Sequence, residues 1–376
     1  MRNHQDGNQH SLSPQDPSRR HFVSAAGAGV AMLGLGGLAV QNRAMAAGHA
    51  GALPHAGKSD ISGGLLRADT VIADPTRLPP PIHRQHAIHH TIELEAREVH
   101  AKLDDGTEFD FMTWDGQVPG PMIRVRQGDT VTLTVKSANG NVRPHSLDIH
   151  AVMGTGGGSN ATMVGPGQSR SEFFKCTYPG AFIYHCAVPN LDEHISRGMF
   201  GMIVVEPYDG LPIVNSEIYI GQHEIYTREP FATKGTAHFD YSRMAAEDPT
   251  YVLFNGAVNA LTADRFGPVK GKVGETMRVF MVCGGPNLGS SLHPIGNVWK
   301  ECWPQGALAN PPLHYIQTQP VAPGSCFVGH LDLLVPETIK LVDHALSRVA
   351  RKGLLAEIAV TGTDRPDIFK EVSPPV

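Results

Sequence analysis

The sequence predicts an all-β protein made of two tandem Greek-key β-sandwich domains, with one short helix in the second. Three observations carry that expectation. Glycine and proline are plentiful, 41 and 29 of 376 residues, while aromatics make up only 7%. That balance suits short strands joined by many turns. From about residue 88 the chain reads as strand and turn, as in "IRVRQGDTVTLTV", where apolar and polar residues alternate across a Gly-Asp turn and predict a hairpin-like pair. Finally, three phrases return in the same order: "WDGQVPGPMIRVRQGDTVTLTV" (114–135) as "FNGAVNALTADRFGPVKGKVGETMRVFMV" (254–282), "PHSLDIHA" (144–151) as "LHPIGNVW" (292–299), and "YPGAFIYHC" (178–186) as "VPETIKLVDH" (335–344). Ordered echoes of this kind indicate a duplicated unit of about 120–150 residues.

The elements follow in chain order. Residues 1–46 read as an export leader: "SRRHFV", then the Gly/Ala-rich "SAAGAGVAMLGLGGLAV", then "AMA" as a small-residue cleavage site. This is similar to a twin-arginine leader, and it predicts a periplasmic mature protein. Residues 47–86, rich in Gly, Ala, Pro and His, predict a flexible arm whose histidines (His49, His55, His83 and His86, with His89 and His90 beside it) are solvated. The first sandwich is expected over 87–208 and the second over 209–368, hinged at "YDGLPIV" (208–214), with a tail at 369–376. "TIKLVDHALSRVARKG" holds the predicted helix, its second half rich in helix formers and ending at Gly353.

The formal charge is −5, and cleavage after Ala46 would make it −7. An acidic balance excludes a basic nucleic-acid face, so no nucleic-acid partner is expected. All five cysteines, 176, 186, 283, 302 and 326, lie beyond the leader. An odd number in an oxidising compartment leaves at least one thiol unpaired.

The densest chemistry lies in "FIYHCAVPNLDEHISRGMFG" (182–201). With His145 upstream, Cys186, His194 and Met199 supply two imidazoles, one thiolate and a weak thioether, the ligand set of a type 1 copper centre. Each alone would more often be packing. The strand period then separates the remaining donors. His185 and Cys186 are adjacent and face opposite ways, as do His145 and His150, five apart, whereas Asp148 and His150 share a face. His145 and Cys186 are therefore expected to point inward, and Asp148, His150 and His185 outward, towards a second metal that needs a further histidine. The second copy has His344 and no cysteine at the corresponding place.

On these motifs the chain, from about residue 88 to 368, resembles the copper-containing dissimilatory nitrite reductases, built of two cupredoxin domains. The resemblance implies two coppers per chain: type 1 at His145, Cys186, His194 and Met199, and type 2 at His150, His185 and His344. In that family the third histidine comes from the neighbouring subunit of a homotrimer. It also implies that Asp148 and His293 are catalytic and that Ile295 crowds the substrate. The implied reaction, in denitrification, takes nitrite, one electron and two protons to nitric oxide, with a small redox protein, a cytochrome c or a cupredoxin, as electron donor. Two features depart from the pattern. Asp192 and Glu193 precede His194, whose exposed edge is expected to meet the donor, and they favour a donor with a basic face. Pro294 restricts His293 to extended backbone. A laccase-like multicopper oxidase would need a histidine after Cys186, where Ala187 stands. A simple electron carrier would have no use for Asp148, His150, His185 and His344.

Overall fold

The computed structural model describes residues 65–373. The leader, the first part of the arm and the last three residues lie outside that range. The described residues form four sheets with a repeated plan. In the first, the strands run Thr107–Trp114, His89–Asp104, Thr130–Ser137, Ser169–Lys175; in the third, Tyr251–Phe254, Ser216–Ile225, Thr276–Gly285, Ser325–Asp332. Both pair antiparallel, parallel, antiparallel across those neighbours. The second sheet runs Ile123–Arg126, Phe200–Glu206, Gly180–His185, Asp148–Ile149, and the fourth runs Val269–Lys272, Ala356–Thr361, Glu337–Asp343, Ser290–Ile295, again with matching polarity. The repeated phrases are thus a repeated topology. Their parallel ends cannot be joined by tight turns, which is the Greek-key requirement.

Thr130–Ser137 alternates half-buried and buried at every step, as the pleat demands of a strand with one face on a core. Three apolar clusters result. One fills the first pair of sheets, around Trp114, Leu133 and Ile203. Another fills the second pair, around Phe254, Trp299 and Phe327. A third joins the halves, with Phe109, Phe111, Ile183 and Phe200 against Tyr226, Tyr251, Phe280 and Val328. The strand Gly235–Ala237 also leaves the second half to pair with Thr107–Phe109 of the first sheet.

Two local expectations are corrected. "IRVRQGDTVTLTV" is not a hairpin: Ile123–Arg126 belongs to the second sheet and Thr130–Ser137 to the first, so the chain crosses the sandwich at Gly128–Asp129. Arg124 and Arg126 are buried there, satisfied by Glu206 and Glu217 and by the Tyr208 carbonyl, which breaks the alternation a hairpin would keep. The helix is only Ser347–Lys352, closed by Gly353 at φ 90°. The preceding Glu337–Asp343 is a strand, because its β-branched Thr338, Ile339 and Val342 pair between Ala356–Thr361 and Ser290–Ile295.

The described part of the arm is anchored. Leu66–Arg67 pairs with the first sheet, and Val71 and Ala73 are buried. Asp129, its side chain fully buried, accepts from the Arg126 and Ile88 amides, pairs with Arg84 and meets His90 Nε2 at 2.9 Å. His90 is therefore half-buried and bonded, and exposed His89 meets Thr130 Oγ1 at 2.9 Å, while His83 and His86 are also exposed. Against the penalty of burial, the Arg84 bond and the backbone amides hold the Asp129 carboxyl down at about 2. Its stabilisation is full above its ordinary value of 3.8 and is lost as pH falls through about 2. Asp129→Asn is expected to cost about 1–3 kcal/mol at neutral pH. Denaturant titrations should show that gap closing in acid; a gap independent of pH would contradict the role.

Candidate metal centres

Two donor clusters lie back to back on one strand. Gly180–His185 pairs with Phe200–Glu206 on one side and with Asp148–Ile149 on the other, Asp148 directly opposite His185. Cys186 follows immediately, its amide bonded to the Met199 carbonyl at 3.1 Å. His194 sits on a one-turn helix, Leu191–Ser196, entered through Asn190 at φ 66°. The Met199 amide returns to the His194 carbonyl at 3.0 Å.

In the inner cluster Cys186 Sγ lies 3.4 Å from His194 Nδ1 and 3.9 Å from His145 Nδ1. His145, Cys186 and Met199 are fully buried, and His194 is 3% exposed. Burial, and next the neighbouring His145, hold the His194 imidazole down at about 4, so its lone pair is available at neutral pH. Burial also pushes the Cys186 thiol up to about 11. A thiolate there needs a bound cation, so this donor set fits a soft metal ion. His145 Nε2 meets Glu98 Oε1 at 3.3 Å, which leaves Nδ1 for the cluster. Glu98 is buried and accepts the Val142 and Arg143 amides as well. Sequence reasoning missed it. The signal was a lone acid at the inward parity of Ile92, Leu94 and Ala96 on its strand.

In the outer cluster, ligand atoms of Asp148, His150 and His185 lie within 4.8 Å of one another. The two Nε2 atoms are 3.2 Å apart, with the rings at 80°. His185 Nδ1 donates to the Cys186 carbonyl at 3.0 Å, which commits Nε2 to the outside. Burial, then the nearby His185, lowers the His150 pKa, which favours the neutral ring with a lone pair to offer. The strand parity expected from the sequence is thereby observed: neighbours in the chain serve opposite faces.

His344 is not among these ligand atoms within the chain. It follows the strand Glu337–Asp343, exposed, and stacks edge-on with His293 at 5.2 Å. His293 Nδ1 donates to the Gln317 carbonyl at 2.6 Å, leaving Nε2 free. Ile295, two residues on along an extended strand, is 42% exposed beside them. The chain therefore presents two separate histidine pairs, His150 with His185 and His293 with His344. A cavity of about 560 Å3 lies elsewhere, between Pro79–Pro81, Arg126 and Leu211–Asn215.

The acidic loop departs from expectation. Asp192 is exposed, but Glu193 is only 2% exposed, bonded to Arg197 at 2.8 Å and to the Tyr241 hydroxyl at 2.6 Å, with Arg143 nearby. Its helical position, four residues before Arg197, turns it inward. His194 likewise shows almost no open edge. All five cysteines are free and buried.

Fold and donor clusters together define a cupredoxin-type metalloprotein. A profile described as multicopper oxidase matches residues 95–210. The chain is 39% identical over 304 residues to a copper-containing nitrite reductase of Neisseria meningitidis, covering 81% of this chain and 78% of that one. It is 33% identical over 325 residues to one of Cereibacter sphaeroides, covering 80% and 86%. The solved copper nitrite reductase of Nitrosomonas europaea superposes with a TM-score of 0.66 at 31% identity, covering 74% of this chain and 96% of that one. A multicopper oxidase structure at 23% identity and TM-score 0.61 shares the fold. The chain belongs to the family of copper-containing nitrite reductases.

His194 and His223, both held near 4 chiefly by burial, are neutral in the fold and cationic when unfolded in mild acid. The stability of the metal-free protein should be complete above their ordinary 6.5 and fall as pH drops from there towards about 4. In an NMR titration of the metal-free protein His194 should titrate near 4. A midpoint at the ordinary value would contradict the buried, neutral ring.

Proposed function

We propose that this enzyme reduces nitrite to nitric oxide, with one electron and two protons entering and one water leaving. The observation that carries the reading is the back-to-back pair of donor clusters joined through His185 and Cys186. His145, Cys186, His194 and Met199 would hold a type 1 copper, and His150, His185 and His344 a type 2 copper. Bound there, copper supplies a one-electron couple at the first site and an open, electrophilic position for an anion at the second.

The residues do the rest. The peptide unit between Cys186 and His185 is the shortest covalent link between the clusters, so it is the electron path. Asp148 stands beside His150 and His185 and supplies one proton at its carboxyl. His293, oriented through Nδ1 by the Gln317 carbonyl, presents Nε2 for the other. Ile295 narrows the space over the substrate. Since His344 and His293 lie apart from His150 and His185 within one chain, the site is completed between subunits of a homotrimer. The leader, similar to a twin-arginine signal, supports periplasmic localisation. A small redox protein, a cytochrome c or cupredoxin, would donate at the helix carrying His194, where Leu191 and Asp192 are exposed.

Shared sites can be tested by complementation. His150→Ala and His344→Ala homotrimers should each lose type 2 copper and nitric oxide output, each by at least about 100-fold. Co-expressed, the two variants should regain a measurable part of that output, because some interfaces then hold two intact halves. Dead mixtures, despite mixed trimers by mass spectrometry, would contradict the arrangement.

A further inference from the structure

Ser169–Lys175 forms an edge of the first sheet, and its residues are exposed except Phe174 and Glu172. Glu172 lies opposite Leu133, and its Oε1 is buried with no hydrogen-bond partner among the described residues. A carboxyl placed so is costly as an anion. Above it runs the glycine loop Gly154–Gly158. A β-carbon on Gly158 would stand 2.0 Å from Glu172 Oε2, and one on Gly157 would stand 1.8 Å from Asp148 Oδ1. Both glycines have left-handed φ, 97° at Gly158 and 57° at Gly157. Two consecutive residues without side chains thus roof two carboxyl groups at once. Facing Glu172 are Leu133 from the neighbouring strand, Gly158 from the loop, and the charge of Asp148; no cation offsets it among the described residues.

We infer that Glu172 is a second carboxyl serving the proposed nitrite site, a proton store held beside Asp148 under the glycine loop. This rests on the reading of Asp148 as the proton-supplying side of that site. The Glu172 O–H bond breaks, its proton replaces the one that the Asp148 carboxyl gives to the product water, and solvent reprotonates the Glu172 carboxylate. No electron moves in that transfer. Glu172 acts through Asp148 and is a positioning residue. Burial, then the Asp148 charge, pushes its carboxyl up to about 7, so the store is full below that pH and empties as pH rises through it.

Infrared difference spectra of the full chain, wild type minus Glu172→Gln, test the pair without reference to turnover. A protonated-carboxyl band should be present at about pH 6 and fade with a midpoint near 7. In an Asp148→Asn background the midpoint should move down, because the like charge is gone. Absence of the band in mild acid, or a midpoint that Asp148→Asn leaves unmoved, overturns the inference. In the copper-loaded enzyme, Glu172→Gln should lower kcat about five- to tenfold at about pH 6 with KM for nitrite unchanged, and should flatten the fall of kcat as pH rises. Glu172→Asp should restore part of the rate. A Glu172→Gln profile that overlays the wild type at equal copper content also overturns it. If the wild type fails to reduce nitrite, the functional reading falls, while the infrared bands still decide the carboxyl pair.

Discussion

The reversal of side-chain direction between consecutive residues of one strand is the constraint on which the rest depends. At His185 and Cys186 it sends an imidazole out and a sulfur in, and the strands on either side complete each face. Phe200–Glu206 brings Met199 to the inner side, and Asp148–Ile149 sets its carboxylate opposite His185. A register slip of one residue would exchange the two faces and destroy both clusters. The register is held by burial: Ile183, Tyr184, Met202 and Ile203 are all in the core.

The duplicated topology gives the second half the same strand plan without the cysteine. Where the first half closes an inner cluster, the second stacks exposed His344 on half-buried His293, which a backbone carbonyl orients. The extensive apolar cluster between the halves holds these two surfaces in fixed relation within the chain. On the proposed function, an active site divided in this way would gain its complete donor set only on assembly, which would make oligomerisation part of the chemistry.

Much of this was legible in the sequence where a physical period governs it. The alternation of strands separated His145 from His150 and His185 from Cys186, and the repeated phrases marked the repeated sheets. The failures share a cause: side chains whose direction is set by tertiary partners. Arg124 and Arg126 look like the solvent face of a hairpin, yet they are buried against carboxylates and a carbonyl, and the chain crosses between sheets there. Glu193 reads as a surface acid but turns inward to Arg197 and Tyr241. Glu98 and Glu172 were legible in principle, as acids at inward strand positions. Recognising them required knowing what lay opposite: a histidine for one, a glycine roof for the other.

The central claim is that adjacent residues address two separate ions. Anomalous scattering measured on both sides of the copper absorption edge, from crystals of the copper-loaded enzyme, tests it most directly. The account requires two peaks per chain, one against Cys186 Sγ and one against His185 Nε2, the latter contacted also by a histidine of another subunit. A single peak shared by both side chains would contradict it.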